Sequence, residues 1–270
     1  LHRSSEYSFF KCSGCGLVNQ VYFGNDEMDY NTDYFFEDYK KQYGRTYLED
    51  FDSIKNQGLR RCSIIRRLTQ KKHLLDIGCG YGPFLAAAGE RGFAPEGIDI
   101  SKNAVDWIKS KLGYPATAVS VTDLDRAMFN QMFDVITMWF VIEHLEDLQS
   151  VLTMVNSLLN PGGVLALSTP NFEGITGKRS VRRFLNTNPL DHHTIWSPYS
   201  ARRLLSKYGF KIKSVKCPVI HPDRFFQPGY YEKLPGSIQK ILEKIITAVG
   251  KLLLLGDTFE VYAVKKKEAG

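Results

Sequence analysis

The chain has 270 residues, enough for one large domain or one domain with a small appendage. Hydrophobic residues make up 43% and charged residues 24%, which excludes a disordered or fibrous chain. The net charge of +6 permits an anionic partner without requiring one.

Residues 1–55 are rich in Tyr, Phe and acid, with Asp26, Glu27, Asp29, Asp33, Glu37 and Asp38 around Tyr30, Tyr34, Phe35 and Phe36. They read as an N-terminal cap on a larger domain of residues 56–270. Within the cap, Cys12-Ser13-Gly14-Cys15-Gly16 has the spacing of half a zinc knuckle. A structural zinc ion needs four ligands, so Cys12 and Cys15 would require others upstream. The chain opens at Leu1 rather than at methionine, which leaves room for them. Five cysteines in this length do not form a disulfide scaffold, and the odd number suits a reducing compartment. No secretory signal pattern opens the chain and no apolar run is long enough to span a membrane, so a cytoplasmic protein is expected. Arg60, Arg61, Arg66, Arg67, Lys71 and Lys72 then alternate with Leu59, Ile64, Ile65 and Leu68, the pattern of an amphipathic helix with a basic outer face.

From His73 onward, strand and helix patterns alternate. Leu74–Ile77 is a short apolar strand ending in glycines, and a helix through Phe84–Arg91 follows. Pro95–Ile98 is a second strand, Ser101 caps the next helix, and Thr117–Val121 is a third strand. Phe133–Phe140 is apolar almost throughout, as a strand buried on both faces should be. A helix over Leu148–Leu159 stops at Asn160-Pro161-Gly162-Gly163, and Val164–Ser168 is the next strand. After a helix beginning at Ser197-Pro198, strands are expected at Phe210–Val215 and Thr258–Lys265. This alternation predicts an α/β fold with a mostly parallel sheet covered by helices on both faces. Two segments interrupt it, at about 171–196 and 217–257; long insertions at the ends of such sheets tend to hold substrate.

The loop Asp76-Ile77-Gly78-Cys79-Gly80-Tyr81-Gly82-Pro83 carries the most specific signal. Glycines after a buried strand let the backbone turn tightly and approach a ligand at a helix N-terminus. A phosphate-binding P-loop would need a Gly-Lys-Ser/Thr ending, which is missing. A dinucleotide fingerprint would need a third glycine where Pro83 stands, which argues against a nicotinamide oxidoreductase. What remains, D-x-G-x-G-x-G, resembles the first motif of the class I S-adenosylmethionine-dependent methyltransferases. Glu96-Gly97-Ile98-Asp99, Val121-Thr122-Asp123-Leu124, Phe133-Asp134-Val135-Ile136 and Pro161-Gly162-Gly163 resemble later motifs of that family in its order and spacing.

The resemblance implies a Rossmann-like sheet of seven strands, the last antiparallel, with S-adenosylmethionine as cofactor and S-adenosylhomocysteine as product. It implies cofactor contacts from Asp76, Gly78, Gly80 and Gly82, and from Asp99 to the ribose with Ile100 beside it. The acid of the Thr122-Asp123 segment would meet the adenine, and Trp139 would also contact the cofactor. The donor is already activated, so positioning supplies most of the acceleration, and a base is needed only for a protonated acceptor.

After the fourth strand, Glu143-His144-Leu145 stands where methyltransferases of nucleobase amines carry an Asn/Asp-Pro-Pro-aromatic motif, and it resembles small-molecule enzymes instead. Glu143 and His144 are candidates for catalysis or metal binding, or they merely fix the next helix. His192 and His193 precede a helix at the open end of the sheet, with His193 the stronger candidate for contact with the acceptor. Lys178, Arg179, Arg182 and Arg183 favour an anionic or sugar-like acceptor, unless they form a solvated surface. Tyr30, Tyr34, Tyr39 or Tyr43 would cap the site. Ile238–Leu253 is an amphipathic helix expected to pack on its own domain or a twin subunit, with a membrane interface less favoured. The expected reaction is O-methylation of a small molecule. The alternatives are an RNA methyltransferase, although the basic cluster lacks interleaved aromatic residues, and a non-catalytic cofactor-binding module.

Overall fold

The computed structural model describes residues 2–3, 7–23 and 39–266. Tyr30 and Tyr34 lie outside that range, as does the side chain of Tyr43.

The N-terminal strands β1 (His2–Arg3), β2 (Tyr7–Lys11) and β3 (Val18–Tyr22) form an antiparallel meander. The turn between β2 and β3 closes on the Cys12–Gly16 loop, where Cys12 N–H donates to the Leu17 carbonyl and Gly16 N–H to the Cys12 carbonyl. A short helix α1 (Tyr39–Tyr43) leads into α2 (Phe51–Arg66). Gly58, Arg61, Cys62 and Ile65 recur at steps of three and four residues along the buried stripe of α2. Arg61 therefore points inward, in contrast to its expected place on a basic outer face, because it shares the phase of Cys62 and Ile65.

The main sheet follows. β4 (His73–Ile77), α3 (Pro83–Glu90), β5 (Ala94–Asp99), α4 (Lys102–Trp107) and β6 (Ala116–Ala118) build its first half. The third strand is shorter than its apolar pattern suggests. Ser120 caps a 3₁₀ turn over Val121–Asp123, its Oγ accepting from Thr122 N–H. β7 (Phe133–Trp139), α5 (Leu148–Leu158) and β8 (Leu159–Pro170) begin the second half. The Asn160–Gly163 turn sits inside β8 rather than before it. Leu159 already pairs with Phe133 and Val164 with Val135, so the four residues between them bulge out, with Gly162 at φ +78°.

Helices α6 (Ile175–Arg179) and α7 (Val181–Asn186) occupy the first insertion, which ends in β9 (Thr194–Ile195). β9 joins the N-terminal meander as its fourth strand, pairing with β3. α8 (Pro198–Lys207), β10 (Phe210–Lys216), α9 (Gly236–Leu252) and β11 (Thr258–Lys265) complete the chain. α8 opens with a capping box between Ser197 and Ser200 and with Pro198 in its first turn.

The seven-stranded sheet has the order β10-β11-β8-β7-β4-β5-β6, and β11 alone runs opposite to the other six strands. Alternate residues of its strands feed two cores. Leu75, Ile77, Ile136 and Met138 pack with α5 and α8, whereas Leu74, Val135 and Ala166 pack with α2 and α3. Chain order reverses between β4 and β7, which leaves a crevice at the carboxyl ends of the strands.

Candidate active site

A cavity of about 890 Å³ occupies that crevice, lined by the loop after β4, the ends of β5 and β7, and residues from α2, the 191–193 loop and the 218–221 segment. On one side the glycine loop sets the backbone. Gly78 has φ +70°, and a Cβ there would lie 2.4 Å from a methyl of Val141, so a side chain is refused both by conformation and by space.

Asp76 is 2% exposed and accepts a 2.5 Å hydrogen bond from Thr137 Oγ1. Burial pushes its carboxyl up to about 7, although Thr137 and Arg61 pull the other way. Asp99 ends β5, with Oδ2 accepting from Gly80 N–H at 2.7 Å and Oδ1 from Ser101 N–H at 2.9 Å. Burial raises its pKa against those backbone donors. The carboxylate is thus fixed in place before any ligand arrives. Ile100, Thr122 and Trp139 also line the cavity. Gly82, at φ +76°, caps the N-terminus of α3 and is not part of the lining, and Asp123 is exposed on the 3₁₀ turn.

The deep wall is a buried ion cluster. Glu260 of β11 accepts from Arg61 Nε at 2.9 Å, from both terminal nitrogens of Arg60, and from Tyr262 Oη at 2.8 Å. Burial raises the Glu260 carboxyl, but the two guanidinium groups outweigh it and hold it below the usual carboxylate range. The Arg61 guanidinium stacks 4.2 Å above the Trp139 ring. Arg61, Trp139 and Glu260 all face the cavity.

On the opposite side His144 and His193 reach the cavity from two loops. His144 Nδ1 lies 3.0 Å from Asp191 Oδ2, and the rings of His144 and His192 meet edge to face at 4.7 Å. Burial pulls the His144 pKa down, but the Asp191 hydrogen bond and the Glu143 and Asp191 charges outweigh it, so the net shift is upward. Burial and His144 lower His192 to about 4, which leaves it neutral at pH 7. Glu143 is 1% exposed, does not line the cavity, and is pushed up to about 7 by burial. Its Oε2 has no hydrogen-bond partner among the described residues. Ligand atoms of Glu143, His144 and His192 lie within 4.8 Å of one another, so these three side chains form a group that could hold a metal ion. His193 Nε2 is 3.5 Å from Glu146 Oε1 at the cavity rim.

The histidine loop is held from behind by the N-terminal meander. Gln20 Nε2 donates to the carbonyls of Pro189 (3.1 Å) and Leu190 (2.8 Å), and its backbone N–H donates to the His193 carbonyl at 2.9 Å. Asn188 Nδ2 donates to Gln20 Oε1 at 2.9 Å. Of the tyrosines expected to cap the site, Tyr39 lines the cavity. The role of β2 and β3 in bracing residues 188–193 left no local signal, because it depends on pairing across some 170 residues.

Cys12 and Cys15 carry free thiols, and among the described residues no third ligand group gathers with them. Lys178, Arg179, Arg182 and Arg183 are exposed outside the cavity lining. Several lining residues escaped the sequence reading. Gln57 and Arg61 sit one helical turn apart on α2, and Pro218, Val219 and His221 lie in the second insertion. Phe140, another lining residue, takes φ +58°, an uncommon conformation for an aromatic residue and one found at ligand sites.

Residues 49–215 match the model of a family described as a methyltransferase domain. A ubiquinone biosynthesis O-methyltransferase of Coxiella burnetii is 32% identical over 116 residues, covering 40% of this chain and 48% of the relative. The chain spans about half the length of that curated relative. Among solved structures, a SAM-dependent methyltransferase from Archaeoglobus fulgidus superposes with a TM-score of 0.57 at 17% identity, over 84% of this chain and 98% of that one. Magnesium protoporphyrin IX methyltransferase from Synechocystis, solved with bound S-adenosylhomocysteine, gives 0.52 at 15% identity, over 87% and 97%. With a family match over residues 49–215, a sheet whose last strand alone is antiparallel, and a glycine loop opening on its crevice, the chain belongs to the class I S-adenosylmethionine-dependent methyltransferases.

Proposed function

We propose that the chain transfers the methyl group of S-adenosylmethionine to a hydroxyl oxygen of a small molecule, with His144 as general base. The observation that carries this reading is the Asp191–His144 pair, which shares one cavity with the glycine loop. Asp191 accepts from Nδ1–H and thereby presents Nε2 as the proton acceptor. As the acceptor oxygen forms its bond to the methyl carbon, the hydroxyl proton passes to Nε2. The carbon–sulfur bond breaks with its electron pair going to sulfur, which leaves neutral S-adenosylhomocysteine. Oxygen as the acceptor atom is supported by the name of the Coxiella relative, which is an O-methyltransferase.

In this reading Asp99 takes the ribose hydroxyls, and Thr122 with Ile100 borders the adenine. Asp76, Gly78 and Gly80 surround the methionine end, and Arg61 offers a guanidinium to its carboxylate. His193 borders the acceptor from the rim. The exposed Lys178–Arg183 cluster gives no support to an anionic or sugar-like acceptor.

A second reading rests on the Glu143, His144 and His192 group. A buried carboxylate with one unpartnered oxygen beside a neutral imidazole suits a divalent cation. Those three residues would hold it, and it would supply Lewis acidity to the acceptor hydroxyl.

The test is calorimetry with S-adenosylmethionine and S-adenosylhomocysteine, with NAD as control, followed by turnover on hydroxylated aromatic acceptors with and without a chelator. Micromolar binding of the adenosyl compounds alone and chelator-resistant turnover are expected. Absence of adenosyl binding at sub-millimolar concentration would sink the proposal. Turnover lost to the chelator and restored by a divalent cation would favour the metal reading.

A further inference from the structure

Among the described residues, helix α9 has one long face without a partner. Ile238, Ile241, Ile245, Val249 and Leu252 recur at steps of three and four residues and all are exposed, Ile241 to 60% and Leu252 to 80%. The half-buried residues Gln239, Leu242 and Ile246 lie on the flank next to this row and turn toward the body of the protein. Gly250 abuts Ile220, where a Cβ would come within 3.0 Å. A row of bare isoleucine and leucine on a small protein is costly unless something covers it.

The charges beside the row say what kind of partner fits. On helical spacing Lys240, Lys244 and Lys251 fall along one flank of the apolar stripe, with the single acid Glu243 beyond them. All three lysines are exposed. A second copy pairing through the same face of α9 would bring lysines and a single acid, Glu243, to meet them. An anionic lipid surface meets both features: acyl chains receive the isoleucines, and headgroup phosphates receive the lysines, whose long stems let the ammonium groups reach back to the interface. The helix has 17 residues, and among the described residues no helix is long and apolar enough to cross a membrane, so the fitting mode is to lie in the interface.

We infer that α9 is a docking helix that holds the protein against an anionic bilayer surface through its Ile238–Leu252 stripe and its lysine flank. Ile220, the residue that seats Gly250, lies between Val219 and His221, and both of these line the cavity. Gly250 faces away from the stripe, so docking would set this part of the cavity rim about one helix diameter, ~10 Å, from the membrane surface. The inference stands on the exposed face alone and is independent of which acceptor is methylated.

The test is co-sedimentation of the whole protein with vesicles of phosphatidylcholine, alone or containing phosphatidylglycerol, together with light scattering of the free protein over a range of concentrations. Binding to the mixed vesicles, much weaker binding to phosphatidylcholine alone, and monomeric protein in solution are expected. I245E combined with L252E abolishes binding, while affinity for S-adenosylhomocysteine stays unchanged and reports that the variant has folded. K240Q with K244Q and K251Q lowers partitioning about tenfold or more and removes the dependence on anionic lipid. Absence of binding to either vesicle overturns the inference. So does a concentration-dependent dimer that I245E dissociates, which would assign the stripe to a second copy. Equal binding to both vesicles overturns the role of the lysines.

Discussion

His144 and Asp191 come from loops 47 residues apart in sequence, yet the imidazole Nδ1 and the carboxylate Oδ2 stand 3.0 Å apart at the edge of the cofactor cavity. A carboxylate so placed fixes the tautomer of the ring and raises its proton affinity, and the His144 pKa is indeed shifted upward. The ring must be deprotonated to accept a proton, so kcat is expected to rise with pH along a limb set by His144, above the ordinary imidazole value. Asp191→Asn moves that limb to lower pH and reduces kcat, and His144→Ala removes the limb and costs about 10²–10⁴ in kcat. Cofactor affinity is unchanged in both variants. A pH profile of single-turnover rates decides this, and a limb that survives His144→Ala would assign the base elsewhere, with His193 next to test.

In the proposed binding mode, Asp76 makes cofactor binding sensitive to pH in the neutral range. Burial raises its carboxyl to about 7, so it is mostly neutral at pH 6 and mostly ionised at pH 8. S-adenosylmethionine carries a sulfonium cation and favours the ionised form, so affinity rises across that interval and binding releases a proton near pH 7. The linkage has the opposite sign for the unliganded fold. Between the ordinary value of 3.8 and about 7, the folded carboxyl keeps a proton that the unfolded chain has lost, so stability falls as pH rises through that window. Calorimetry in two buffers of different ionisation enthalpy measures the released proton. Asp76→Asn is expected to bind more weakly at pH 8, to flatten the pH dependence, and to melt at a higher temperature than wild type at pH 8 without ligand.

The division between what sequence showed and what it hid follows the range of the interactions. The glycine loop, Asp99 at the end of β5 and the apolar run of β7 are local patterns whose geometry is set within a few residues. They build the side of the crevice proposed for the cofactor. The charge of Arg61 predicts an outer face on α2, but it shares the helical phase of Gly58, Cys62 and Ile65, and phase decides its place. Its partner Glu260 lies 199 residues away, and nothing near either residue announces the pair. The side proposed for the acceptor is assembled from residues 20, 140–146, 188–193 and 218–221, and only Glu143 and the histidines among them carry chemistry that the sequence displays.

The Arg61–Glu260 pair yields a stability prediction. Arg61 is 4% exposed and Glu260 1%, so removing one partner strands a buried charge. Glu260→Ala is expected to cost about 3–5 kcal/mol, read as a fall in denaturation midpoint with little change in denaturant slope. Glu260→Gln keeps hydrogen-bond acceptance and shape, and should cost less. Tyr262 Oη also donates to Glu260, so Tyr262→Phe separates that bond from the ion pair. If Glu260→Ala were nearly neutral, Arg61 would have found solvent or another partner, and the wall beneath Trp139 would be less rigid than the structure shows.

Gln20 offers the sharpest separation of positioning from chemistry. It is 4% exposed and does not itself line the cavity, yet its amide nitrogen holds the carbonyls of Pro189 and Leu190, just before Asp191. Gln20→Ala deletes both bonds and the acceptor for Asn188 Nδ2 while keeping the backbone pairing of β3 with β9. Each lost bond is worth about 0.5–1.5 kcal/mol, so the 188–193 loop gains freedom while the core of the sheet stays folded. An imidazole displaced by about 1 Å can lose up to 10²-fold in rate, and a loop that retains its backbone anchor should lose less. The expected outcome is a fall in kcat of about tenfold with cofactor affinity unchanged, and Gln20→Glu should not rescue it, because a carboxylate cannot donate to the two carbonyls. An equal loss of cofactor affinity in Gln20→Ala would mean that the meander supports the whole crevice rather than the histidine loop alone.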